Sequence, residues 1–409
     1  MRDWSMQKLN TVSKIVNGGT PKTKVPEYWG GDINWITPKD LGQIDSLYTS
    51  NTPRTITDFG LKKSSAKEIP SNSVILSTRA PIGHLAINTV SMAFNQGCRG
   101  IVPREYLDTK YLYYFLYKSI DLLNKLGTGA TFKELSARAL KSVEIPIPPL
   151  PEQKRIVEVL DEAFEAIDQA RANIERNIQN AEELFQSKLN EIFSQSGDCW
   201  EEKKLKEISH TASNIKWDGE EGTRQYIDLS SVSRDSLSIT QTEIINKDNA
   251  PSRAKKIVKK GDVIFGTTRP TLKRVTIIDE EYTDQICSTG FYVIRPKTKI
   301  ITSEWIFLFL QTKVFMDRME KIQSGASYPA VNYSDMKNSI IRYPISWEEQ
   351  KRYSAQLFEL QNEKTVLIES YVSKLKFLEE LKKSILQKAF LGELTAGESG
   401  FAGLEDQRD

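Results

Sequence analysis

The chain has 409 residues, with 56 Lys and Arg against 54 Asp and Glu and 39% hydrophobic residues; this is length for two to three ordinary domains and apolar content for real cores. No run reaches the roughly 18 apolar residues of a membrane helix and no apolar signal stretch stands at the N-terminus, so a membrane protein is excluded and a cytoplasmic location is expected. Three scattered cysteines, Cys98, Cys199 and Cys287, make neither a disulfide framework nor a zinc cluster and suit a reducing compartment.

The net charge of +2 hides a partition. Residues 1–150 carry +7 and residues 195–345 carry +3, whereas 152–194 and 346–409 carry −5 and −3. Two basic units alternate with two acidic segments, and a positive unit is what a phosphate backbone attracts. Charge alone fits two merely soluble domains equally well.

In chain order, the first basic unit opens on a loop, Asn17-Gly18-Gly19-Thr20-Pro21-Lys22-Thr23-Lys24. Its glycines, hydroxyls and lysines suit a grip on phosphate through backbone N–H and ammonium groups, and a plain turn explains them equally. Asn34, Trp35, Thr37 and Lys39 form a second polar stretch. Short strands are predicted over Val74–Ser77, Leu85–Ile87 and Gly100–Val102. Thr78 and Arg79 end the first strand, where a guanidinium fork can take guanine O6 and N7 or form a structural ion pair; Gln96 can read adenine or cap a strand. One helix is predicted over Thr109–Leu126, with Tyr111, Tyr114 and Phe115 at core spacing. Gly127-Thr128-Gly129-Ala130-Thr131-Phe132, followed by Lys133, reads as a surface loop.

Pro146, Pro148, Pro149 and Pro151 mark a domain edge. From Glu152 to Ser194 there is no Gly or Pro, and Ile156, Leu160, Ala163, Ile167, Ala170, Ile174, Ile178, Ala181 and Phe185 recur three or four apart, which predicts one long helix with a coiled-coil seam.

The second half repeats this order. Lys216, Arg224 and Tyr226 come first, then strands over Val263–Phe265, Val275–Ile278 and Phe291–Ile294. Thr268, Arg269 and Lys273 follow the first of these, and Gln285 and Ser288 precede the last. A helix over Ser303–Ile322 carries Trp305, Phe307 and Phe309, the loop Ser324–Tyr328 brings Ser327 and Tyr328, and Pro344 marks the next edge. A second helix free of Gly and Pro from Ser346 to Leu391 carries Leu357, Leu360, Leu367, Tyr371, Leu375, Leu378, Ile385 and Ala389. Some 40 residues at 1.5 Å each span about 60 Å, too long to bury a seam on one small domain. The simplest partner is the other long helix, packed antiparallel through Ile156, Leu160, Ile167 and Ile174 against Leu357, Leu367, Leu375 and Leu378; two helices lying on separate partner proteins is the alternative.

The two halves also match residue by residue. Trp4, Leu9 and Ser13 return as Trp200, Leu205 and Ser209, 196 positions on, and Glu152-Gln153-Lys154-Arg155 returns as Glu349-Gln350-Lys351-Arg352 at 197. Gly129-Ala130-Thr131-Phe132 matches Gly325-Ala326-Ser327-Tyr328; Ser77-Thr78-Arg79 aligns with Thr267-Thr268-Arg269, and Gln96-Gly97-Cys98 with Gln285-Ile286-Cys287. Such a period is too long for a solenoid or propeller. The expected fold is α+β: two tandem pseudo-symmetric mixed α/β domains, 1–150 and 196–345, joined by long helices at 151–195 and 346–394 that form an antiparallel coiled coil, with a flexible tail at 395–409.

Motifs of autonomous chemistry are missing. There is no G-x-x-x-x-G-K-[ST] phosphate loop and no Asn or Asp followed by Pro-Pro and an aromatic, and the two histidines, His84 and His210, fall at unmatched places. A fused methyltransferase or nuclease is disfavoured. The chain reads as a binder with no cofactor or metal of its own, whose partner is double-stranded DNA or, in the rival reading, protein docked on a coiled-coil scaffold.

Three segments carry a family resemblance: Gly18-Gly19-Thr20-Pro21 followed by Tyr28-Trp29-Gly30-Gly31-Asp32-Ile33-Asn34-Trp35-Ile36, the run Ile145 to Val157, and Leu381 to Leu394. Together they resemble the specificity subunit of Type I restriction-modification systems over essentially the whole chain. The second half departs from the pattern, with Ser213-Asn214-Ile215-Lys216 in place of the Gly-Gly-Thr-Pro loop. The resemblance implies two target recognition domains that each read one half of a bipartite target, a helix pair that fixes the spacer, and two methyltransferase subunits and a motor/restriction subunit as partners. S-adenosylmethionine, ATP and Mg²⁺ would belong to those partners.

Overall fold

The structure, a computed structural model, describes residues 4–79, 81–129 and 133–395; Thr131, Phe132 and the tail 396–409 lie outside them. The chain divides into two units, Met1–Asn173 with Ser373–Asp409, and Ile174–Val372. Each unit therefore holds one globular fold and a portion of both long helices.

In the first unit the strand Ser73–Thr78 is buried along its whole length, because its alternate residues feed two cores. Val74 and Leu76 join Leu85, Ile87 and Ile101 beneath Tyr111, Leu112 and Phe115. Ile75 points the other way and meets Ala86, Ile36, Met92 and Phe94. The larger sheet runs in the order Ser13–Asn17, Cys98–Pro103, Ser73–Thr78, Ile82–Asn88, Tyr48–Thr49. A second sheet has the order Thr55–Ile56, Trp29–Ile36, Met92–Phe94, Glu68–Ile69, its central pair parallel.

The second unit reproduces this plan. Ser209–His210, Phe291–Pro296, Val263–Gly266 and Val275–Ile277 form one sheet, and Glu243–Ile245, Arg224–Ile227, Ile286–Ser288 and Ala254–Ile257 form the other, again with a parallel central pair. Hydrogen bonds fix which residues correspond. Thr78 donates its N–H and hydroxyl to the Gly97 carbonyl at 2.7 and 3.1 Å, and Thr267 does the same to Gly290 at 2.8 and 2.9 Å. The equivalent of Thr78 is thus Thr267, not Thr268, and Gln96 and Gln285 are not counterparts: Gln96 lies in the turn before Gly97, while Gln285 precedes a strand of the other sheet. The offset is 189 at Thr78, 193 at Gly97 and 196 to 197 near the edges of the domains, because turns between strands changed length while the helix boundaries did not.

Two further expectations are corrected. The aromatic helices are each broken, into Thr109–Lys118 and Ile120–Leu126, and into Ser303–Phe309 and Lys313–Ile322. A hydroxyl residue stands at each break, and the Thr312 side chain caps the new start by accepting from Phe315 N–H at 3.3 Å. Their rings are core: Tyr111 and Trp305 have no exposed surface.

Both long helices have 44 residues, Leu150–Phe193 and Trp347–Phe390. In the first unit Ile156, Leu160 and Phe164 pack with Leu386, Ala389 and Phe390; Asp168 pairs with Lys382 at 3.2 Å and Arg171 with Glu379 at 2.9 Å. In the second, Lys364 lies 4.5 Å over the Phe185 ring and Tyr353 reaches Gln195 at 3.3 Å. Numbers rise on one helix as they fall on the other, so the packing is antiparallel in both. Ile156, Leu160, Ile167 and Leu357 are buried, and Ile174, Leu375 and Leu378 are half-buried. Leu367 is 43% exposed; Ile368 takes the seam, keeping the alternation of four and three residues from Lys364 to Tyr371 that a coiled coil requires.

A buried glutamine ties each helix to its globular fold. Gln153 accepts from Asp108 N–H at 2.9 Å and donates to the Tyr106 and Pro148 carbonyls at 2.9 Å each. Gln350 accepts from Thr302 N–H at 3.0 Å and donates to Ile300 and Pro344 at 2.9 and 2.8 Å. Gln153→Leu leaves three backbone groups without their amide partner, the Pro148 carbonyl buried and the other two partly so, and is expected to cost about 2 kcal/mol, read as a lower denaturant midpoint; an unchanged midpoint would contradict the assignment. Burial pushes the Cys98 thiol up to about 12 and raises that of Cys287 as well, whereas Cys199 is exposed. A thiol reagent is therefore expected to titrate one cysteine in the native chain and three after denaturation.

Candidate nucleic-acid interface

In the first unit the polar loops converge through a chain of contacts. The Trp35 indole donates to the Gly19 carbonyl at 2.9 Å, Gly19 N–H donates to Phe94 at 2.9 Å, and Thr20 hydroxyl donates to Gln96 at 2.5 Å. Gly97 abuts Pro38, where an added Cβ would stand 2.8 Å from the proline ring. Gly19 is similarly confined, since a Cβ there would fall 2.3 Å from the Ser65 backbone. The glycine loop is thus packed onto the second sheet, and its Lys22 and Thr23 are exposed. Asn34 accepts from Thr52 at 3.2 Å, and Thr37 caps the helix Pro38–Leu41 by a reciprocal pair with Asp40, leaving Lys39 exposed.

Arg79 ends its strand in an ion pair with Glu134 at 2.7 Å, the structural alternative that its position allowed. Backbone bridges join Glu134 to both Arg79 and Thr128, so the loop carrying exposed Thr128 and Lys133 is stitched to the strand end. A residue that sequence reasoning missed, Arg99, lies beneath: 8% exposed, it donates to the Gln96 and Cys98 carbonyls at 2.8 and 2.9 Å and stands 3.9 Å from the same Glu134 carboxylate. Burial lowers its affinity for a proton, and Glu134 opposes this. Two guanidinium groups therefore share one carboxylate. Nothing in the sequence around Arg99 marks it, because its partners are backbone carbonyls and a residue 35 positions away.

The second unit builds the matching place differently. Thr268 bridges Ala330, the counterpart of Glu134, and Ser324 does too. With no carboxylate there, Arg269 adopts a left-handed backbone at φ 50°, donates to the Ser327 carbonyl at 3.2 Å and lies 4.7 Å over the exposed Tyr328 ring. A short turn, Pro270–Leu272, separates it from Lys273, which is also left-handed at φ 53°. Such backbone strain collects at binding sites. Ser288 is buried and accepts from Gly290 N–H at 3.2 Å, and Tyr226 is buried beside it. Gln285 accepts from Gln225 N–H at 2.7 Å and so caps a strand, and Arg224 pairs with Glu220 at 3.2 Å. Lys216 is exposed on the loop whose Ile215 donates to Lys255.

Thr78, Trp35, Gly19, Tyr226 and Ser288 are enclosed and act as supports; Thr20, Lys22, Thr23, Lys39, Arg79, Gln96, Thr128, Lys133, Arg269, Lys273, Ser327 and Tyr328 are left with some surface. Among the described residues no group of His, Cys, Asp or Glu is arranged to hold a metal ion, and no helix is long and apolar enough to cross a membrane.

Residues 1–180 and 198–375 match the model of the Type I restriction modification DNA specificity domain. The chain belongs to that family. Over 97% of its length it is 29% identical to the specificity subunit of the Type I restriction enzyme MjaIX of Methanocaldococcus jannaschii, covering 95% of that protein. It is 30% identical to the EcoR124I/EcoR124II specificity subunit of Escherichia coli over 46% of this chain and 47% of the relative. Its fold is shared with a chain from a structure of a type I restriction-modification system described for complex assembly and conformational transition, at TM-score 0.77, 20% identity and coverage of 96% and 99%. The HsdS subunit of Thermoanaerobacter tengcongensis matches at TM-score 0.60, 21% identity and coverage of 96% and 98%. Each matched segment begins with one specificity domain and runs on into a long helix.

The Arg79–Glu134 pair is half-exposed and worth about 1 kcal/mol at most, so Glu134 would compete with a phosphate for Arg79 if that arginine meets DNA. Glu134→Gln is expected to tighten duplex binding roughly two- to five-fold at low salt and to steepen the salt dependence, measured by titration at several salt concentrations. Unchanged affinity would mean that Arg79 stays with the protein when DNA binds.

Proposed function

We propose that this chain is the sequence-specific DNA-recognition subunit of a Type I restriction-modification complex, with one specificity domain for each half of a bipartite target. What carries the reading is the duplication itself. One fold is built twice, and each copy gathers arginine, lysine, hydroxyl and aromatic side chains at its strand ends. Two readers on one chain suit a target of two unlike blocks, since the surrounding side chains differ at nearly every matched position.

The subunit is non-catalytic, and the chemistry belongs to its partners. The pseudo-symmetric repeat offers two copies of a modification subunit equivalent places to bind, each positioned to flip and methylate an adenine in one half of the target. A motor/restriction subunit completes the complex. S-adenosylmethionine would serve the modification subunits and ATP with Mg²⁺ the motor. The two long helices, each contributing to both units, would hold the unspecified spacer between the blocks.

Binding of the chain, co-purified with its modification subunit, to a randomised duplex library tests the proposal. Two short enriched blocks at fixed separation, with affinity falling steeply as salt rises, are expected. Absence of enrichment, or binding that ignores salt, would instead favour domains that dock protein on a coiled-coil scaffold.

A further inference from the structure

Arg54 belongs to none of the polar motifs of the sequence, yet this exposed cation is held against two indole rings. Its guanidinium carbon lies 4.9 Å from the centre of the Trp29 indole and 4.7 Å from that of Trp35. The two rings meet edge to face, 5.1 Å apart at 88°. The Arg54 carbonyl accepts from the Thr52 hydroxyl at 2.6 Å and from Trp35 N–H at 3.1 Å, so backbone and side chain are both fixed. The same indoles donate to the glycine loop, Trp29 to the Lys22 carbonyl at 3.3 Å and Trp35 to Gly19 at 2.9 Å. One aromatic pair therefore holds both the arginine and the loop that carries Thr20 and Lys22.

A guanidinium stacked on an aromatic face keeps its in-plane N–H groups for another partner, and stacking fixes the plane in which they point. The other arginines of these surfaces spend theirs within the protein: Arg79 on Glu134, Arg99 on two carbonyls, Arg269 on Ser327. The Arg54 side chain has only the two rings for partners among the described residues. The geometry points to Arg54 as a DNA-contacting residue of the first specificity domain, its fork taking a planar pair of acceptors on the duplex: the N7 and O6 edge of guanine, or two non-bridging oxygens of one phosphate. In the second unit the residue facing Tyr226 in the same register is Glu243, so the contact is private to one domain and acts on one half of the target. This inference rests on the DNA-recognition reading above.

The test compares the full chain with its Arg54→Lys and Arg54→Ala variants, each assembled with the modification subunits, by enrichment from randomised duplexes and by affinity against salt. The lysine variant keeps the charge and a cation–π contact with the indoles but loses the planar fork, so it separates recognition from folding. If the partner is guanine, both variants lose preference at one position of one block by about ten- to hundred-fold while the other block is unchanged. If it is phosphate, both blocks survive, affinity falls for every sequence, and the alanine variant alone lowers the salt slope by about one. Wild-type preference, affinity and slope in both variants, while the wild type enriches two blocks, would overturn the inference and leave Arg54 as a cover for the indoles. Failure of the wild type to enrich any block would overturn the parent reading and this one with it.

Discussion

A primary amide with no exposed surface must find partners for two N–H groups and a carbonyl, and in this chain it finds them where two segments distant in sequence meet. Gln153 joins the start of the first long helix to the cap of the aromatic helix and to the turn before it; Gln350 does the same in the second half. The two clamps fix the direction in which each long helix leaves its domain. The aromatic helices then cover the larger sheet on one side and the helix seam on the other, with Tyr111 and Phe115 packed on Phe390 in one unit and Trp305 on Phe193 in the other. The hydrophobic term supplies the bulk of the stability there, and the amide supplies the register.

On that fixed frame the loops at the strand ends are free to differ, and they do. Both domains place an arginine just after the strand end that Thr78 or Thr267 ties to a glycine carbonyl. One arginine is restrained by a carboxylate shared with a buried neighbour, the other by a carbonyl and an aromatic ring on strained backbone. A half-exposed ion pair of this kind is weak enough to be exchanged for a phosphate. The frame is common to both halves and the surfaces are individual, the division expected of one subunit that must read two unlike sequences.

Much of this was legible from the residues. Two 44-residue helices, the strands through Val74, Leu85, Val263 and Phe291, and the duplication followed from periodicity and from matched prolines and Glu-Gln-Lys-Arg segments. What escaped depended on contacts distant in sequence. Sequence similarity placed Gln96 opposite Gln285, but turns of altered length put one in the turn after a strand and the other before the equivalent strand, and the hydrogen bonds to Gly97 and Gly290 restore the match. Leu367 looked like a seam residue because it stands seven positions after Leu360, yet the alternation of four and three residues through Lys364 and Tyr371 selects Ile368. Arg99 and Arg54 gave no local signal: one is defined by carbonyls and Glu134, the other by two tryptophans at the ends of one bulged strand, Trp29–Ile36. The Gln-Lys-Arg repetition was visible, but its purpose was not, since a surface helix full of Glu and Lys hides one buried glutamine well.

If the paired helices set the spacing between the two halves of the target, as proposed, their length should be read out in the spacer. Removing seven residues from each long helix, so that the seam stays in register, shortens both by about 10 Å, roughly three base pairs of duplex. Sequences recovered from a randomised library by the shortened complex should then contain the same two blocks, unchanged in composition, with the spacer reduced by about three base pairs. The same two blocks at the original spacing would contradict the account.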